Sequence, residues 1–97
     1  MKILAFEHEL PGTTASQFQR LTKPEARKVW DLHQAGLIRE MYFRADRDEA
    51  MLVLECASVK AALESLAQLP FVEAGLIEFE PIALKAYPGL SRLFKND

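Results

Sequence analysis

The side chains that could carry acid–base chemistry lie in the first half of the chain. Glu25 follows Pro24 at the start of a predicted helix, His8 ends a predicted strand, and Tyr42 lies in a later strand. A partly buried carboxylate can take up and return a proton near neutral pH, where imidazole also titrates. A phenol can donate a hydrogen bond to a carbonyl or enolate oxygen. These residue types make Glu25, His8 and Tyr42 the candidate catalytic residues of a proton-transfer reaction.

Each candidate also has a structural interpretation. Thr22 and Glu25 have the spacing of a capping box, in which the Glu25 carboxylate would stabilise the start of its own helix. A single histidine beside an apolar face is commonly a packed residue, which applies to His8 and to His33. Tyr42 is equally consistent with an ordinary aromatic strand residue. From the residues alone, the catalytic and structural interpretations both stay open.

A second group of residues could bind a small substrate. The Arg39 guanidinium can hold a carboxylate in a bidentate manner, or it can pair across strands with Glu55. Arg20 could close over an anionic ligand, and its alternative is a solvated loop charge. Trp30, at the border of the helix's apolar side, could line a pocket entrance or a subunit contact. The candidate substrate-binding residues are Arg39, Arg20, Met41, Phe43, Val53 and Glu55.

Alternating and helical hydrophobic patterns predict the elements that position these residues. Strands are predicted over residues 2–8, 37–44, 50–57 and 75–84. One helix is predicted from Thr22 to a stop at Gly36, and another from a cap at Ser58 to about Gln68. Residues 15–21 fit either a loop or an early helical turn. Pro81 predicts a bulge or an edge position in the last strand.

The order β-α-β-β-α-β predicts an α+β, ferredoxin-like fold, with an antiparallel sheet and helices on one face. Alternation places Leu52, Leu54, Ile77 and Phe79 towards the helices. The opposite face is predicted to carry Val53, Glu55, Glu78 and Glu80, together with Arg39, Met41 and Phe43. That face is too apolar to be simply solvated, so a partner sheet or a ligand is expected to cover it.

The C-terminal segment is apolar although it follows the last strand. Tyr87, Leu90, Leu93 and Phe94 would be costly to leave in water. They either return to the core or dock on another subunit, and we favour docking. The prediction is one domain over residues 1–97, with a core over 2–84 and an interface tail over 85–97 whose last three residues fray.

Composition excludes several function classes. The chain has 97 residues, with 12 Lys and Arg against 14 Asp and Glu and a net charge of −2, so no basic surface for nucleic acid is expected. No apolar run approaches the roughly 18 residues that span a bilayer. The early charges argue against a secretory leader, and the single Cys56 fits a reducing cytoplasm. No His, Cys and acidic spacing indicates a metal site.

The chain resembles the muconolactone isomerase-like members of the dimeric α+β-barrel superfamily. The similarity rests on a series of short matches along residues 2–90, with departures over residues 16–21 and at Leu37-Ile38. The matching segments are Pro24-Glu25-Ala26-Arg27, Leu32, Gly36, Arg39, Leu69-Pro70, the run from Glu78 to Leu84, and Ala86-Tyr87-Pro88.

The resemblance implies a fold, an assembly and a reaction. Two sheets would join face to face into a barrel, as a homodimer that can build a larger ring. The implied reaction is a cofactor-free double-bond shift in a small unsaturated lactone or related carboxylic acid. Glu25 would be the proton shuttle, and Arg39 the anchor for the substrate carboxylate. The alternatives are a non-catalytic ligand-binding or assembly module, and a cofactor-independent monooxygenase or cyclase.

Overall fold

A computed structural model describes residues 1–95 of the chain. Within that range, strands alternate with helices in the order β-α-β-β-α-α-β, and a 3₁₀-helix closes the described part. The elements are β1 (Lys2–Glu9), α1 (Ala15–Gln34), β2 (Ile38–Phe43), β3 (Ala50–Glu55), α2 (Val59–Leu66), α3 (Pro70–Glu73), β4 (Ile77–Ala83) and the 3₁₀-helix (Gly89–Phe94).

The four strands form one antiparallel sheet in the order β2-β3-β1-β4. This order, with its helical crossovers, is the ferredoxin-like arrangement, so the predicted α+β fold is confirmed. β4 lies at the edge of the sheet, where Pro81 opposes Ala5 without disturbing a central ladder. No helix within residues 1–95 is long and apolar enough to cross a membrane.

Helix α1 is longer than predicted. It begins after Thr14, whose side chain and that of Gln17 form the capping box, so a start at Thr22 is wrong. Pro24 lies inside the helix, where it removes one backbone hydrogen bond. The added first turns of α1 also contact α3, because the Phe18 ring meets the Phe71 ring edge-on at 5.1 Å between centroids.

Local signals at the other helix ends are confirmed. Gly36 ends α1 with a φ of +81°, which a side chain would strain. The Ser58 side chain accepts from the Ala61 amide and begins α2. His33 fastens the end of α1 to β2, since its Nδ1–H donates to the Ile38 carbonyl over 2.8 Å. The short helix α3 was not predicted.

The core lies between the helices and one face of the sheet. Ile3 and Ala5 of β1 and Leu54 of β3 are fully buried there, against Leu32 of α1 and Leu66 of α2. The predicted helix-facing residues Leu52, Leu54, Ile77 and Phe79 lie on this side, with Phe79 partly buried.

The opposite, open face differs from the prediction in β2. A bulge between Ile38 and Glu40 makes Arg39 an extra residue in the ladder. The alternation beyond it is therefore reversed, so Met41 opposes Leu52 and Phe43 opposes Ala50 on the helix-facing side. Placing Met41 and Phe43 on the open face is wrong for this reason.

The C-terminal tail does not return to the core within the described residues. The large apolar side chains of this segment are 62% to 84% exposed, and they are Tyr87, Leu90, Leu93 and Phe94. The predicted fraying concerns residues 95–97, of which 96 and 97 lie outside the described range and Lys95 follows the 3₁₀-helix.

Candidate functional site

A cavity of about 560 Å³ lies between α1 and the helix-facing side of the sheet. We call it the helix–sheet cavity. Its α1 wall consists of Thr22, Glu25, Ala26, Val29 and Trp30, and the strands supply Glu7, Met41, Phe43, Leu52 and Phe79 among others. The volume is typical of small-molecule sites, and most of the wall is hydrocarbon.

Glu25 lies on the α1 wall of the cavity and is half-buried. Its Oε1 accepts a hydrogen bond of 2.9 Å from the Phe71 backbone amide, at the start of α3. The capping interpretation is therefore wrong for its own helix, yet Glu25 does cap the neighbouring helix α3. Burial raises the pKa of Glu25, and the Phe71 amide acts in the opposite direction.

Glu7 is the second carboxylate of the cavity, and sequence reasoning missed it. Burial is the main cause that raises the Glu7 pKa from 4.5 to about 7. The Ala50 amide opposes this shift, whereas the charges of Glu25, Glu49 and Glu9 add to it. A signal was available, because Glu7 continues the helix-facing row of Ile3 and Ala5 in β1.

Large apolar side chains form the outer part of the cavity. Trp30, Met41 and Phe43 all line it and are more than one-third exposed, so they stand at its mouth. Tyr42 also borders the cavity, but its hydroxyl donates to Glu40 Oε1 over 2.7 Å. That hydrogen bond is the main cause that raises the Tyr42 pKa. The phenol is thus already paired with a side chain of its own strand.

His8 and Val53 lie on the open face, away from the cavity. His8 Nε2 is 2.9 Å from Glu80 Oε1, in a pair that is about half exposed. Val53 is buried in the centre of that face, opposite Leu4 of β1. The sheet therefore separates both residues from Glu25 within one chain.

The three predicted polar anchors also lie outside the cavity wall. Arg39 donates through Nε to the Gly36 carbonyl, so its side chain folds back on the turn that ends α1. Glu55 accepts from the N-terminal ammonium over 2.6 Å, which is the main cause that lowers its pKa; Arg39 adds a smaller effect. Arg20 is exposed on α1. Among residues 1–95, Arg39 and Glu55 form no ion pair of 4 Å or less with each other, so the expected cross-strand pair is not formed.

The residues that the structure describes show little capacity for a metal ion. Within residues 1–95, no group of three or more His, Cys, Asp and Glu side chains is placed to hold one. The polar groups that the cavity does bring together are two carboxylates and the Thr22 hydroxyl. They can exchange protons with a ligand and form hydrogen bonds to it.

The fold places the chain among small ferredoxin-like proteins with one four-stranded antiparallel sheet, and solved structures with this fold match the chain. Muconolactone isomerase is similar with a TM-score of 0.74 and 22% identity, over 91% of this chain and 92% of that chain. The 5-chloro-2-hydroxyhydroquinone dehydrochlorinase of Burkholderia phenoliruptrix AC1100, in complex with 2,5-dihydroxybenzoquinone, has a TM-score of 0.61 and 19% identity, over 92% and 98%. No family model and no curated protein matches. The chain has the fold of these two enzymes, as the resemblance implied.

Proposed function

We propose that the protein is a cofactor-free enzyme that moves a proton within a small unsaturated lactone or a related ring compound. The observation that carries the proposal is Glu25, a half-buried carboxylate with a raised pKa on the wall of an apolar cavity. Both structural neighbours act on small molecules by name, and one holds a quinone ring. These likenesses support a ring-shaped ligand for this cavity.

The proposed reaction is an allylic proton shift. The Glu25 carboxylate removes a proton from a ring carbon, and the electron pair of that C–H bond forms a dienolate. The protonated carboxyl of Glu7 donates a hydrogen bond to the enolate oxygen, as its pKa of about 7 allows near neutrality. Glu25 then returns a proton to the other end of the conjugated system, so one C–H bond breaks and one forms. Because Glu25 is only half-buried, its proton exchanges with solvent between the two steps.

The second candidate function is a non-catalytic small-ligand-binding module. The hydrogen bond between Glu25 and the Phe71 amide favours it, because that bond gives the carboxylate a structural role without catalysis. Both candidates place the ligand in the helix–sheet cavity. They differ in whether the bound ring exchanges protons.

The test uses proton NMR to follow the exchange of the ring protons of 5-methyl-2(5H)-furanone for deuterium in D₂O. We expect exchange with the native protein and a loss of at least about 100-fold in Glu25→Gln. Glutamine keeps an oxygen that can accept from the Phe71 amide, so the cap of α3 survives while the base is removed. The control is Glu64→Gln, on the exposed side of α2, which should exchange at the native rate.

Two results would contradict the proposal. Native protein that binds the furanone without exchanging its protons would establish the binding module instead. Exchange that is equally fast in Glu25→Gln would remove Glu25 from the reaction.

We also propose that two copies assemble through their open faces. Leu4, Phe6 and Val53 leave an apolar centre on that side, and Ile82 is 41% exposed there. The tail over residues 85–97, whose large apolar side chains up to Phe94 are exposed, would add to the same dimer or link dimers into a ring. Assembly on the open face would leave the helix–sheet cavity of each copy on the other side of its sheet.

A further inference from the structure

The charge of the helix–sheet cavity restricts the ligand that it can accept. Its described lining residues include the carboxylates of Glu7 and Glu25 and no Lys, Arg or His side chain. The remaining polar side chains of the lining residues are the Thr22 hydroxyl and the Trp30 indole, since the Tyr42 phenol donates to Glu40 on the open-face register. None of these can neutralise a ligand carboxylate.

The cations nearest to the cavity are engaged outside it. Glu9 and Glu49 both act on Glu7 with the same sign as Glu25. Arg44 and Arg47 of the β2–β3 turn lie 3.9 and 3.6 Å from Glu49 Oε1, and both also lie within 4 Å of Asp46, so these four charges largely offset one another. Arg44 in particular forms a bidentate pair with Asp46, at 2.7 and 2.8 Å.

The predicted cationic anchors do not change this balance. Arg39 folds back on the Gly36 carbonyl, and Arg20 is exposed on α1 outside the cavity wall. An anionic ligand would therefore lose its hydration next to two carboxylates and gain no counter-charge. That combination is costly in an apolar space.

We propose that the helix–sheet cavity selects an uncharged ring bearing carbonyl or hydroxyl groups and rejects rings that carry a carboxylate. This inference rests on the proposed function for the identity of the ring, and on the lining residues for its charge. A carbonyl oxygen would accept a hydrogen bond from whichever of Glu7 and Glu25 holds a proton. A ring hydroxyl would donate to the ionised carboxylate.

Burial of two carboxylates in one apolar cavity also favours a state in which one of them holds a proton. The raised pKa of both groups agrees with that state. A neutral ligand leaves it intact, whereas an anion would require the pair to be fully protonated. The two buried carboxylates would thus account both for the selection against anions and for the proposed proton transfer.

The experiment compares two ligands of matched shape, (5-oxo-2,5-dihydrofuran-2-yl)acetate and its methyl ester. Binding is followed by the fluorescence of Trp30, which is the only tryptophan of the chain and lines the cavity. At a pH above the Glu7 pKa of about 7, we expect the ester to bind at least about tenfold more tightly than the acid. In Glu7→Gln/Glu25→Gln the preference should fall to about twofold or less, and Glu64→Gln should keep it.

The outcomes separate this inference from the proposed function. Equal binding of the two ligands, tighter binding of the anion, or no binding of the ester would each overturn the charge selection. A preference that persists in Glu7→Gln/Glu25→Gln would also overturn it, since the carboxylates are then not its cause. Selective ester binding without proton exchange would contradict the proposed reaction and still support the selection.

Discussion

The acidic residues on the two faces of the sheet have contrasting surroundings. On the helix-facing side, Glu7 and Glu25 line an apolar cavity, and burial raises the pKa of both. On the open face, Glu80 lies 2.9 Å from His8, and Glu55 lies 2.6 Å from the N-terminal ammonium. These open-face carboxylates have cationic or ionisable partners, whereas the described lining of the cavity gives Glu7 and Glu25 no Lys, Arg or His.

This difference separates residues suited to proton transfer from residues suited to pairing. A carboxylate beside a cation stays ionised and holds its position, because taking up a proton would break the ion pair. A carboxylate in an apolar cavity beside another carboxylate can change its charge near neutral pH. Alternation along one strand is enough to place His8 and Glu7 in these contrasting surroundings.

The largest effect should come from charging the open face. In Ile82→Asp, a carboxylate would be buried in the proposed dimer contact, and we expect the dimer dissociation constant to rise at least about 100-fold. Ile82 is 41% exposed within one chain, so the monomer should keep its circular dichroism spectrum. Sedimentation velocity over a concentration series measures the change.

The matched control for that variant is Ile82→Val, which should remain a dimer. A chain that ends at Leu84 separates the contribution of the tail from that of the sheet face. Native protein that sediments as a monomer at every concentration would remove the proposed assembly. The contrast between a cavity face and a pairing face would then hold within a single chain.

Local sequence chemistry predicted most of the fold. The alternation of β1 and β3, the Ser58 cap and the Gly36 stop each depend on neighbours within a few residues, so they are readable without a structure. The start of α1 was missed although its signal is also local, because the Thr14–Gln17 capping box spans three residues. Pro24 in the interior of the helix made Thr22 look like the cap instead.

The site was less predictable than the fold. A single extra residue at Arg39 moved Met41 and Phe43 to the other side of the sheet, and no local rule marks such a bulge. Glu25 was identified, but its partner was not. Glu7 could have been found from its place in the buried row of Ile3 and Ala5, since a charge in such a row requires an explanation.

A smaller effect is expected in the pH dependence of stability. The Glu7 pKa is raised from 4.5 to about 7, so the folded state binds more protons than the unfolded state between these values. The free energy of unfolding should therefore fall as the pH rises from 4.5 through 7, and the Glu7 contribution is fully present below 4.5. Because Glu7 is only partly buried, we expect a loss of about 1 kcal/mol.

Urea denaturation of native protein and Glu7→Gln over this pH range measures that loss. The variant should show a flatter profile, with only the weaker contribution of Glu25 remaining. Parallel profiles for the two proteins would place Glu7 in solvent-like surroundings and weaken the contrast between the faces. Glu64→Gln, whose carboxylate is exposed, should follow the native profile.

The smallest effect should come from the His8–Glu80 pair. Its side chains are 45% and 58% exposed, so solvent screens the pair within one chain. We expect a double-mutant cycle of His8→Ala and Glu80→Gln to give a coupling energy of about 0.2–1 kcal/mol when it is measured in the Ile82→Asp background. That background keeps the open face in water, and its new carboxylate, two residues from Glu80 on the same face of β4, is present in all four proteins of the cycle. A coupling of several kcal/mol there would mean that the pair is shielded from water even in the single chain. The two faces would then not differ in how strongly water screens their charges.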